Sequence, residues 1–281
     1  MSGWDLVAPT LDILTPHWPH RCKPSHGEGM VPASGTIQVR VMAEAGGYRV
    51  SSADNGAHPL WYPDTAGAAH AAAGALVAAR LAAEPEALAI HAAAVVIGSR
   101  AVVLVGHSQS GKSTIALHLA AGGHRLLGDD RLLLAGAGRS LEAVALGLAP
   151  KVRLPVPHAL GPRFRTFVAR REAARDAEPG AAYLALGASE QAPHGERVPV
   201  GALIRLTRQG GSATRLVALS RAAAVRTIID HGSAPHLGSG AVLALATRMA
   251  SRVPAFDLTY SVSRRAALAL AARLGQENTA P

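Results

Sequence analysis

The chain has 281 residues, 49% of them apolar but only 4% aromatic, and a net charge of +9. This is a globular composition, long enough for one large domain or two modest ones, with a core that must be built from Ala, Leu and Val. The charge is almost wholly arginine, the only lysines being Lys23, Lys112 and Lys151, and no aromatic-rich strand or basic recognition helix accompanies it, so nucleic acid is not the expected partner.

Residues 1–34 carry many Pro, Gly and His with little periodicity and predict an irregular amino-terminal arm. His17, His20, Cys22 and His26 have zinc-donor side chains, but the interleaved Pro16, Pro19 and Pro24 fit no common finger spacing, and no metal ligands are assigned there. The single cysteine excludes an internal disulfide. The first residues lack the basic-then-apolar pattern of a secretory signal, so a reducing, cytoplasmic setting is expected.

Residues 35–85 predict a small β-rich and helical subdomain. Short β-prone runs around Ile37 to Val41 and Tyr48 to Val50 alternate with turn signals at Gly46-Gly47 and Asp54-Asn55-Gly56, and an Ala/Leu-rich helix over 66–83 ends at Pro85. The third region, 86–281, opens on a strand from Ala89 to Ile97 that turns at Gly98-Ser99 and returns as Val102 to Val105. His91, Ser99 and Arg100 interrupt this apolar stretch, which falls short of the ~20 apolar residues of a membrane span and is expected to be buried sheet. A helix follows from Lys112 to about Ala121, stopped by Gly122-Gly123, then a strand at His124 to Leu127 and an extended run from Arg131. Further on, an Arg-rich helix is predicted near 161–176. Strands follow at 182–186, 202–207, 215–219 and 256–260, and helices at 222–230, 241–251 and 264–274.

Between the second strand and the first helix of this region lies Gly106-His107-Ser108-Gln109-Ser110-Gly111-Lys112-Ser113, which satisfies G-x-x-x-x-G-K-[ST] in the strand–loop–helix context the pattern requires. Glycines at both ends let backbone amides and the helix amino terminus face an anion. The expected phosphate cradle therefore runs from Gly106 through Thr114. Lys112 reaches the terminal phosphates and Ser113 offers its hydroxyl to magnesium, making ATP and Mg²⁺ the expected ligands. The fold class this implies is α/β, a P-loop nucleotide-binding core with a small amino-terminal β-rich subdomain.

Asp129 and Asp130 stand at the carboxyl end of the next strand, where open α/β sheets place their chemistry. Either can hold magnesium or accept a proton, and adjacent extended residues point to opposite sides, so the two need not share one role. The bland alternative is a polar hairpin turn. His91 reads either as a core histidine or as a group near the Asp pair that orients a carboxylate or moves a proton.

His91, the loop 106–113 and Gly123-His124-Arg125-Leu126-Leu127-Gly128-Asp129-Asp130 together resemble the core of the HPr kinase/phosphorylase family, with its HG, GxxGxGKS and GHRLxADD segments. The resemblance covers residues 89–135. It implies ATP-dependent phosphorylation of a serine hydroxyl on a peptide or small protein, with Asp130 as proton acceptor, His91 as the active-site histidine, Lys112 and Ser113 in the nucleotide site, and Asp129 a supporting or magnesium-linked carboxylate. The chain departs from the family where Pro150-Lys151-Val152-Arg153-Leu154 puts Lys at the place of a magnesium-binding Glu, and it has no counterpart of the segment linked to phosphorolysis. It is similar to shortened HPr-kinase-like proteins associated with ribosomal peptide modification. The alternatives are a regulatory ATPase module and a small-molecule kinase. Arg163, Arg165, Arg170, Arg171 and Arg175 are expected to dock an acidic peptide or protein, and family analogy suggests a homo-oligomer.

Overall fold

A computed structural model describes residues 3–18, 39–52, 59–137, 140–176 and 180–277. The chain divides into two compact units, residues 1–83 and 84–281. In the first, α1 (Gly3–Leu14), β1 (Val39–Glu44), β2 (Gly47–Ser52), β3 (Leu60–Tyr62) and α2 (Thr65–Ala82) form an antiparallel β1-β2-β3 sheet with the two helices packed on it and on each other. The expectation of an irregular arm is corrected over residues 3–14. Val7, Leu11 and Leu14 recur on one helical face and are buried, a stripe that supports a helix despite Pro9 within it. Asp64 caps α2, accepting a 2.7 Å hydrogen bond from the Gly67 amide. His20, Cys22 and His26 lie outside the described residues.

The second unit contains β4 (Ala87–Ile90), β5 (Ala93–Ile97), β6 (Arg100–Val105), α3 (Lys112–Ala121), β7 (Arg125–Gly128), β8 (Leu132–Ala137), β9 (Ser140–Val144), β10 (Lys151–Arg153), α4 (Pro162–Ala169), β11 (Glu172–Asp176), β12 (Ala181–Leu184), β13 (Arg197–Arg208), β14 (Arg215–Ala218), α5 (Arg221–His231), β15 (Gly232–Ser233), α6 (Ser239–Ala250), β16 (Ala255–Tyr260) and α7 (Ser263–Glu277). Ten strands join in the order β15-β4-β8-β9-β13-β6-β5-β7, with β16 pairing β13 and β14 pairing β16. Strand β13 connects the two parts of this sheet. Its first residues run antiparallel to β9, while its later ones run parallel to both β6 and β16. A separate sheet has the order β10-β12-β11.

The main sheet is buried on both faces. Along β6, Val102 and Leu104 point into one core with α3 and α7, and Ala101, Val103 and Val105 into the other with α5 and α6. The fold is thus mixed α/β, as the alternation of apolar runs and helical patterns implied.

Two expectations need correction. The strand foreseen over Ala89–Ile97 is broken at His91-Ala92, where the chain changes partners: β4 pairs β8 and β15, whereas β5 pairs β6 and β7. The helix foreseen over 161–176 ends at Ala169, because its buried face, Phe164, Phe167 and Val168, ends there; after a turn at Arg170-Arg171 the chain pairs with β12. Among the described residues, no helix is long and apolar enough to cross a membrane.

Candidate functional site

The site is built at the end of β6. Gly106 (φ +152°), Gln109 (φ +65°) and Gly111 (φ +91°) turn the chain back into α3, with the Ser110 amide donating to the His107 carbonyl at 3.1 Å. Gly111 is required twice over. Its φ is one that L-residues avoid, and a Cβ there would collide with the Tyr260 hydroxyl. That hydroxyl, at the end of β16, donates to the Ser110 carbonyl and braces the loop from behind. His107, Ser108 and Gln109 are exposed, Ser110 is buried, and Ser113 and Thr114 are half-buried on the first turn of α3.

Lys112 is only 7% exposed. Its Nζ donates to the Gly106 carbonyl at 2.8 Å and to that of His107 at 3.2 Å, which folds the ammonium back along the loop. Burial lowers its pKa, and the nearby charges of Asp129 and Asp130 oppose that shift. Lys112 and the two carboxylates therefore occupy a single electrostatic neighbourhood.

Asp129 and Asp130 divide as their adjacent positions demand. Asp129 is 3% exposed, and burial pushes its carboxyl up to about 6, with Ser113 and the Lys151 amide opposing the rise. Its Oδ2 accepts from the Lys151 amide at 3.3 Å. The Ser113 hydroxyl is near enough to act on its charge, yet Oδ1 has no well-formed hydrogen bond. Asp130 is exposed, with φ +67°, at the centre of a three-residue turn closed by the Arg131 amide on the Asp129 carbonyl at 2.8 Å. This is a strained turn that Asp tolerates better than most residues.

His91 sits where the chain passes from β4 to β5. Its amide is held by the His231 carbonyl at 2.8 Å, and its Nδ1 lies 3.0 Å from the Asp130 carbonyl and 3.2 Å from Asp130 Oδ1. In the Nδ1–H tautomer the ring donates to Asp130. This contact, ahead of the Arg131 and Lys112 charges, holds the Asp130 carboxyl below its usual range.

Buried Asp129 with an orphan oxygen beside the Ser113 hydroxyl is a hard-oxygen donor set. It suits magnesium, which keeps several of its own waters and takes one or two protein carboxylates. Among the described residues no group of three or more His, Cys, Asp or Glu forms a metal cage. Lys151 gives its amide to Asp129 and its Nζ to the Tyr183 hydroxyl at 2.9 Å.

The expected arginine cluster does not present five free cations. Arg171 forms a forked pair with Glu190 and stacks 4.0 Å over Phe167, Arg175 pairs with Glu172, and Arg163 donates to the Ala121 carbonyl. Glu190 comes from a distant segment, and Glu172 becomes a neighbour of Arg175 on an edge strand, so two of the five arginines are already paired with carboxylates. Conversely, two residues not singled out in the sequence belong to the site. Tyr260 was read only as the end of a strand, and His231 only as the residue after a helix.

No protein-family profile matches the chain, and no curated protein does. Among solved structures, it is similar to the Hpr(Ser) kinase/phosphatase from Coxiella burnetii, at 13% identity and a TM-score of 0.35, over 67% of this chain and 95% of that one.

Proposed function

We propose that the protein is an ATP-dependent kinase that transfers the γ-phosphoryl group to a serine hydroxyl of a peptide or small protein. The observation that carries this reading is the meeting of Lys112, Ser113, Asp129, Asp130 and His91 at one loop, in a sequence whose motifs resemble those of the HPr kinase family. Phosphoryl transfer of this kind needs mainly positioning and charge compensation, with a residue to orient and deprotonate the nucleophile.

In this reading the backbone amides of 107–113 and the α3 amino terminus bind the phosphates, and Lys112 leaves its loop carbonyls to face the terminal ones. Ser113 and Asp129 hold magnesium, which supplies charge neutralisation at the phosphates. Asp130, exposed and anionic, accepts the serine proton through its carboxylate, while His91 fixes the orientation of that carboxylate. The setting is cytoplasmic and ATP and Mg²⁺ are the ligands. Homo-oligomers and an acidic acceptor remain part of the proposal, the latter resting on Arg170, which is exposed beside the paired Arg171.

The test is incubation of [γ-³²P]ATP with seryl peptides. Labelled peptide is expected from the parent, and Asp130→Asn should lower the rate by about 10²–10⁴ while ATP binding, measured by calorimetry, stays intact. Free phosphate as the sole product favours an ATPase module instead. Equal turnover in Asp130→Asn removes the assigned role.

A further inference from the structure

Beside the loop lies a cleft of about 540 Å³, lined by His107 and Arg205 on one side and on the other by α5, including Ala222, Arg226, Asp230 and His231. Its position is set by register. Arg205 of β13 pairs with Val105, the residue immediately before the loop, so the cleft opens against the first turn of the phosphate cradle. The His107 and His231 rings meet edge to face with centroids 5.8 Å apart. His231 also lies close enough to Lys112, His107, Asp230 and His91 to feel their charges, and its carbonyl anchors His91. His231 therefore joins the cleft wall to His91, the residue in contact with Asp130.

The chemistry of the walls limits the occupant. Each arginine of the wall has an acidic neighbour. Arg205 Nη2 is bound to Asp257 Oδ2 at 2.8 Å, and Arg226 Nε lies 3.5 Å from Asp230 Oδ2. The wall thus carries two acid–base pairs whose formal charges balance, together with imidazole edges and alkyl surface, a lining that accepts and donates hydrogen bonds without demanding a net counter-charge. The volume is in the range of small-ligand pockets.

We infer that this cleft is the acceptor subsite: it takes an uncharged, hydroxyl-bearing group and presents its oxygen to the phosphoryl end of the loop, with His107 and His231 as positioning residues. The inference rests on the kinase reading and deepens it. The same chemistry can be carried on a seryl segment of a peptide or on a free hydroxy compound. The size of the cleft admits a side chain with little flanking chain.

Ala222 lines the cleft, is exposed and lies on a helix, so Ala222→Trp fills the space without disturbing either core or the loop. Leu243→Trp, at an exposed position of α6, controls for added bulk. Labelled ATP is supplied with a pool of seryl peptides, acidic and neutral in flanking sequence, or with free serine and small hydroxy compounds. The expected result is a rise of about tenfold or more in acceptor KM for Ala222→Trp, with ATP affinity unchanged and Leu243→Trp like the parent. The arm that is labelled identifies the carrier of the hydroxyl.

An unchanged acceptor KM in Ala222→Trp overturns the subsite and leaves the kinase reading standing. Lost ATP binding in the same variant also overturns it, assigning the cleft to the nucleotide. If the parent binds ATP yet labels no acceptor, the kinase reading falls and the subsite falls with it.

Discussion

Asp129 shows how a single residue can be held at a cost to the fold. Its pKa, raised by burial from 3.8 to about 6, means that the folded protein binds a proton more tightly than the unfolded chain. Stability is therefore lost as pH rises through that window, and at neutral pH the full cost of an ionised, incompletely bonded carboxylate is present. Asp129→Asn keeps the shape, removes the charge, and should stabilise the protein by about 1–3 kcal/mol at pH 7.5 while weakening magnesium-dependent nucleotide binding. Thermal unfolding with calorimetry on the same variant checks both; a lower melting temperature would contradict the account. Local sequence disclosed this residue and its neighbours well. The loop and the Asp pair are contiguous segments whose turn chemistry and strand ends are written in adjacent residues. Tyr260 and His231 were not legible, because each reaches the loop through pairing between distant strands, and an aromatic or a histidine at an element's end has no local mark of such a role.

At the scale of elements, α3 carries a second titrating group. His118 lies against Phe164 with ring centroids 4.4 Å apart, and its Nε2 is buried without a hydrogen bond. Burial first, and the charge of Arg264 second, push its pKa down to about 4. The unfolded chain takes up this proton near pH 6.5 and the folded one only near 4, so stability is lost as pH falls across that interval. His118→Leu should therefore melt higher than the parent at pH 5 and within a degree or two of it at pH 8. Equal differences at both pH values would assign the effect to packing. Most helices and strands of this unit were foreseen because their apolar residues recur with one period. The two misread ones lacked such a boundary. The run from Ala89 to Ile97 is apolar throughout and does not show where it changes partners, and the arginines after Ala169 suit a helix or an edge strand equally.

For the whole molecule, every residue assigned to the site lies in the second compact unit, 84–281. That unit has apolar cores on both faces of its main sheet. Expressed alone, it should fold cooperatively and bind ATP within about threefold of the full chain. Loss of binding in a folded fragment would show that residues 1–83 complete the site. The passage of the chain between the two parts of the main sheet has a mechanical consequence. His91 stands on one crossing, between β4 and β5, and Asp130 on another, between β7 and β8; β13 spans both parts, and the chain crosses again on either side of β15. Two of these crossings carry the pair that contacts at 3.2 Å. A change in twist between the sheet's parts would move the imidazole against the carboxylate, so the pairing of β13 with β9, β6 and β16, which joins those parts, also holds this contact in register.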